Sequence, residues 1–160
     1  MKRLNGPWLC VFAGLLILSL TACARLADVL PGIIPDLEPD TETILINTRW
    51  ALESYGEPGA ETPVLEETEV TLRFDEEGQA GGSGGCNTFG AEYVISDGRI
   101  SFTEIIATEI ACPGEGIMEQ ERQYFEALRT AGEFELTDHR LTIWYADGQG
   151  VLSFVERSQG

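Results

Sequence analysis

The sequence predicts an α+β domain: a mostly antiparallel, curled β-sheet of about eight short strands, with one helix packed on it. Three observations lead there. From about Ile44 onward, short apolar runs alternate with polar residues at the period of half-buried strands. Turn pairs such as Asp97-Gly98 and Asp147-Gly148 separate these runs by hairpin lengths. One stretch, Ile117 to Ala131, instead carries its apolar residues at helical spacing. Links this short favour antiparallel neighbours and a sheet curling toward a barrel.

Taken in order, Thr48 to Ser54 alternates around Trp50 and Leu52 and reads as the first strand. Val70, Leu72 and Phe74 alternate with Thr71 and Arg73, and Asp75-Glu76-Glu77-Gly78 reads as the turn that follows. Gln79 to Gly85 is small and glycine-rich. Ala91 to Ile95 is a strand, turned by Asp97-Gly98 into Ile100 to Phe102, and Ile105 to Ala111 is again apolar and strand-like. After Pro113 and Gly114, the residues Ile117, Tyr124, Leu128 and Ala131 fall on one helical face, with Met118 and Phe125 beside them. Gly132 is placed to stop that helix. Glu133 to Leu136, Leu141 to Tyr145 and Val151 to Val155 complete the strands, with turns at Asp138-His139 and Asp147-Gly148. No self-similarity at the period of about 20–50 residues marks a repeat protein.

The N-terminal region has a different character. Lys2 and Arg3 precede an apolar run from Trp8 to Leu20, which ends in Leu20-Thr21-Ala22-Cys23. Charge, apolar stretch and small residues at the cut are the layout of a secretory signal. The run is shorter than the ~20 apolar residues a spanning helix needs. It also resembles the bacterial lipobox, which implies a diacylglyceryl group on Cys23 and cleavage after Ala22. Residues 1–22 are therefore expected to be a lipoprotein signal peptide. Residues 23–43, with Pro31, Pro35 and Pro39 among acids, are expected to be an extended tether. At ~3.1 Å per residue such a tether spans about 60 Å. The domain is expected over 44–156 and a short tail over 157–160. Two or more acyl chains anchor stably where one does not, so the expected location is extracytoplasmic and lipid-anchored. Ala24 after the cysteine favours the outer membrane if the source has one.

The formal net charge is −17. Lys2 is the only lysine, and Lys2 and Arg3 both lie in the signal, so a processed chain sets 27 acids against arginines alone. Affinity for nucleic acid comes largely from cations that neutralise phosphates, and a nucleic-acid partner is excluded on that ground, as is a catalytic lysine. Of the four cysteines, Cys10 lies in the signal and Cys23 in the lipobox. In an oxidising compartment, Cys86 and Cys112 suggest a disulfide; two buried free thiols are the other reading. No CxxC exists and His139 is the only histidine, which leaves zinc without a ligand set. No metal or cofactor is expected.

The order of signals resembles the META domain, also called the HslJ-like domain. The matching pieces are Asn47-Thr48-Arg49-Trp50-Ala51-Leu52, Val70-Thr71-Leu72-Arg73-Phe74 and, most specifically, Gly84-Gly85-Cys86-Asn87-Thr88-Phe89. Ala107-Thr108-Glu109-Ile110-Ala111-Cys112-Pro113 follows, then the helix and the closing hairpin from Leu141 to Phe154. The resemblance implies a compact β-rich fold with a helix across it. It implies an envelope lipoprotein linked in some members to heat shock, antibiotic tolerance, secretion or motility, with no general enzymatic activity. Likeness of the fold to lipid-binding pilotins implies a cracked barrel with an apolar cleft. The motif residues Trp50, Gly85, Cys86, Asn87, Phe89, Thr108, Cys112 and Pro113 are expected to be architectural.

Other chemistry fits the residues less well. A phosphate loop needs a lysine, and the glycine run has none; close packing or a bulge accounts for it better. His139 beside Asp138 reads as a hairpin turn, because a triad needs groups converging in space. Paired carboxylates arise by chance among 27 acids. Asp75-Glu76-Glu77 and Glu66-Glu67-Glu69 lack the calcium-loop pattern. Two functions follow as expectations. The first is a non-enzymatic envelope stress or binding module for an apolar ligand or an envelope protein. The alternative is an envelope hydrolase using carboxylates and His139.

Overall fold

The computed structural model describes residues 41–46 and 48–157. The signal peptide, Cys23, most of the tether and residues 158–160 lie outside the described residues.

A short helix α1 (Thr41–Ile46) leads into strands β1 (Arg49–Gly56), β2 (Thr62–Pro63), β3 (Val70–Phe74), β4 (Gln79–Gly84), β5 (Thr88–Ser96) and β6 (Arg99–Ala107). Helix α2 (Ile117–Arg129) follows, then β7 (Ala131–Thr137), β8 (Arg140–Tyr145) and β9 (Gly150–Arg157). All pairings are antiparallel, in the order β1-β3-β4-β5-β6-β7-β8-β9, and β9 returns to pair β1. Eight strands thus close a barrel, and the two-residue β2 adds to β1 outside the ring. This is the predicted mostly antiparallel, curled sheet with a helix on it.

The alternation that suggested strands is the alternation that fills the barrel. Trp50, Leu72, Leu141, Ile143, Leu152 and Phe154 are each fully buried, as are Tyr124 and Leu128 from α2. Two-residue loops turn two of the hairpins. Asp97 and Gly98, and Asp138 and His139, all have positive φ, the geometry whose twist matches paired strands. In the third turn Asp75 Oδ1 accepts hydrogen bonds from the Glu77 and Gln79 amides at 3.1 and 2.7 Å.

Four details differ from expectation. Thr41–Ile46 is helical where the prolines suggested extended chain up to residue 43, and Leu45 is fully buried, its carbonyl accepting from Trp50 Nε1 at 3.4 Å. The glycine segment is strand β4, paired on both sides by β3 and β5. Ile100 to Phe102 and the run from Ile105 belong to one strand, β6, which ends at Ala107. A bulge explains the apparent break. Glu104 has φ 52, and the register slips between Gly90↔Ile106 and Glu92↔Thr103. Finally, α2 stops at Thr130, not Gly132. Gly132 lies in β7, where a Cβ would stand 2.9 Å from Arg99 Nη2.

The ring is uneven. β5 pairs with β6 from Arg99 to Ala107 except at the bulge of Glu104 and Ile105, whereas β6 and β7 share the single pair Arg99↔Glu133. The Arg99–Glu133 ion pair, at 3.6 Å, sits at that same point. Helix α2 joins β6 to β7 in sequence and sends Tyr124 and Leu128 into the core.

Candidate functional site

One face of α2 carries polar residues inward. Glu121 is 4% exposed and Asn87 is 2% exposed. Glu121 Oε2 accepts from the backbone amides of Asn87 at 2.5 Å and Cys86 at 3.2 Å, while Oε1 accepts from Asn87 Nδ2 at 2.6 Å. Asn87 in turn holds the segment after β6. Its Oδ1 accepts from Thr108 Oγ1 and the Ile110 amide, both at 2.7 Å, and its Nδ2 donates to the Ile110 carbonyl at 3.0 Å. The Cys86–Cys112 disulfide closes the same corner covalently. Beside it, Gln120 Oε1 accepts from the Leu65 amide at 2.8 Å and Nε2 donates to Thr68 Oγ1 at 2.9 Å. Among the described residues no buried side-chain nitrogen or oxygen lacks a partner. This clasp ties α2, the start of β5 and the 108–112 segment into one unit.

The helix lies very close to the sheet here. A Cβ on Gly84 would stand 2.7 Å from Phe125 Cζ and 2.8 Å from Glu121 Oε2. Gly84→Ala is expected to destabilise the domain by about 1–3 kcal/mol, read from urea unfolding. Wild-type stability in that variant would show that the helix has room to retreat.

Between α2 and the end of β6 runs a groove of about 660 Å³. One wall is the consecutive run Ile105 to Ala111; the other is Met118, Arg122, Phe125 and Arg129 of α2. Ile106, Ile110 and Met118 are 74, 58 and 41% exposed. Arg122 is occupied by Glu119, with contacts at 2.6 and 3.0 Å, and by Glu126 at 3.5 Å. Hydrogen bonds from Arg122 and Gln123 hold the Glu119 carboxyl down to about 2. Arg129, exposed at the far end of the helix, makes no ion pair among the described residues.

The motif residues converge around this corner. Phe89 packs on Tyr124 and Phe125, with ring centroids 5.8 and 5.3 Å away. Gly85 has φ 108 beside Gln120 and Thr68. Pro113 is exposed in the stretch between β6 and α2. Trp50 is apart from them, buried in the core. His139 is exposed in its hairpin turn, and its Nδ1 pairs with Glu156. Cys23 is outside the described residues. Among the described residues, no three His, Cys, Asp or Glu side chains gather to hold a metal ion, and no helix is long and apolar enough to cross a membrane. Sequence reasoning missed Glu121 and Gln120. The signal existed: position 121 is four residues after Ile117 and three before Tyr124, on the apolar face.

No curated protein matches the chain. Solved structures do. An NMR structure of a protein from Burkholderia xenovorans is 24% identical, with 72% of this chain and 86% of that chain covered, at a TM-score of 0.61. A second NMR structure is 25% identical, with 70% and 91% covered, at 0.56. The crystal structure of a duf4847 family protein from Bacteroides vulgatus is 13% identical, with 74% and 99% covered, at 0.54. These likenesses carry the fold. The META domain family model matches residues 43–159. That match takes in every strand of the barrel together with the clasp and the groove, and the chain therefore belongs to the META domain family.

Proposed function

We propose that this META-domain protein is a lipid-anchored, extracytoplasmic binding module that works by holding a partner, not by turning over a substrate. The observation that carries the reading is the groove. Ile106, Ile110 and Met118 stand exposed along it, and apolar side chains gathered in a rimmed groove mark binding surfaces. The groove's walls are fixed by the clasp and by the disulfide, and a pre-ordered wall loses little freedom on binding. The disulfide also accords with an oxidising compartment. The hydrolase alternative gains little support, because the buried carboxylate of Glu121 is engaged by three N–H donors and His139 lies in an exposed turn.

The chain expressed with its own leader provides the test. Protein recovered from membranes is expected to begin at Cys23 and to carry added diacylglyceryl and acyl mass. Cys23→Ala is expected to move it out of the membrane fraction. An unmodified full-length chain in the cytoplasm would overturn the anchored reading. Turnover of an envelope glycan or peptide that His139→Ala abolishes, with melting unchanged, would overturn the non-enzymatic one.

A further inference from the structure

We infer that the groove takes an extended peptide segment of a partner protein, which adds as a strand to the open edge of β6 and sets an acidic side chain beside Arg129. The inference rests on the binding-module reading and names the class of partner.

The first observation is the one-sided pairing of β6. Among the described residues, β6 has β5 along one edge from Ile100 to Ala107, interrupted at Glu104 and Ile105, while β7 reaches it only at Arg99. A strand edge without a neighbour is a template for another strand. The second observation is how the groove is lined. Seven consecutive residues, Ile105 to Ala111, form one wall. Successive side chains of extended chain point to opposite faces, so a groove along one face would meet only every second residue. Ile105 to Ala107 are the end of β6 and the rest of the run continues past it, so the last three residues of the strand's edge border the groove. The Thr108 amide and both backbone groups of Ile110 are already paired, but an acyl chain laid along Ile105 to Ala107 would cover the N–H and C=O groups that face away from β5 without giving them partners. A peptide backbone can pair with them.

Length and charge narrow the occupant further. Met118, Arg122, Phe125 and Arg129 recur along the thirteen-residue helix, which is about 20 Å long at ~1.5 Å per residue. Extended chain at ~3.3 Å per residue covers that in about six residues. The two ends of the groove differ in sign. Glu109 follows the β6 wall next to Ile110, which the Asn87–Glu121 clasp holds near the first half of α2, and Arg129 ends the helix. The matching segment is apolar at its centre, with an acid at the Arg129 end and a base at the other.

The test uses the full lipidated chain in nanodiscs. The probe is a capped, fluorescent octapeptide of alternating valine and threonine, with a terminal aspartate and a terminal lysine. Binding is read by anisotropy and by amide hydrogen exchange. Exchange is expected to slow at the β6 end of the groove, residues 105–107, when the peptide binds. Alternate-position N-methylation of the peptide is expected to weaken binding about ten-fold or more, through lost backbone hydrogen bonds. Arg129→Glu is expected to weaken it about three-fold, the scale of an exposed ion pair, and a peptide with lysine at both ends to regain the loss. Equal binding by the N-methylated peptide would overturn strand addition. Protection by oleate, with none from the peptide, would overturn the inference and leave the binding-module reading standing. No protection from either probe would remove both.

Discussion

Replacing Glu121 with alanine is expected to remove about 3–5 kcal/mol of folding stability. The side chain accepts three hydrogen bonds from the Cys86 amide, the Asn87 amide and Asn87 Nδ2. Asn87 is almost wholly buried, so water does not readily replace the lost partner. A buried donor left unpaired costs about 1–3 kcal/mol, and Asn87 would have two. The variant also empties space over Gly84, against which Glu121 and Phe125 both lie. A whole domain is stable by only about 5–15 kcal/mol, so this one change takes a large share. Glu121→Gln retains one oxygen and turns an amide group toward donors; its expected loss is smaller, about 1–3 kcal/mol. Urea unfolding of both variants, with the disulfide intact, measures the difference. A loss below about 1 kcal/mol for the alanine variant would mean that the clasp does not hold the helix to the sheet.

The second large effect is expected from the cross-link. Cys86 and Cys112 are 26 residues apart in sequence, and opening a loop of that size releases unfolded-chain entropy worth about 3.5 kcal/mol. Replacing both cysteines by serine is expected to lower Tm by about 10–15 °C, given the usual few degrees per kcal/mol for domains of this size. Reductant should lower the wild-type Tm by a similar amount and leave the double variant unmoved. The folded segment between β6 and α2 keeps its Asn87 contacts either way, so the loss arises mainly in the unfolded state. A double variant that melts with the wild type would show that the loop ends are already held together without the bond.

Most of the barrel was legible because its strands obey simple patterns. Val70-Leu72-Phe74 and Leu141-Ile143 alternate cleanly, and each pair of neighbours is turned by residues that accept positive φ. The helix face read from Ile117, Tyr124 and Leu128 is the buried face. Met118, placed beside that face, is exposed instead, and lines the groove. What failed to show had physical reasons. β4 has almost no apolar side chains; it is a strand because β3 and β5 pair with it from both sides. β6 changes phase at Glu104, which disguised one strand as two. Helix α1 is only six residues long, too short for periodicity to speak. The disulfide pairing was open to two readings because spacing alone does not bring two cysteines together. The groove was expected only as a cleft implied by resemblance, since it forms between elements far apart in the chain.

Closure of the barrel has a consequence for the order in which the chain can become a protein. β1 is among the first elements described, and one of its two ring neighbours is β9, the last, with Arg49 opposite Arg157. Contacts at that sequence distance are the slowest to form, because the intervening loop must be ordered first. Until Val151 to Val155 has emerged and docked, the edge of β1 that pairs β9 has no partner among the described residues. Any truncation, stall or cleavage before residue 150 therefore leaves an unpaired strand beside the most buried side chains of the core. Such a chain presents an edge primed for aggregation, so quality control on it depends on the eight-residue strand β9.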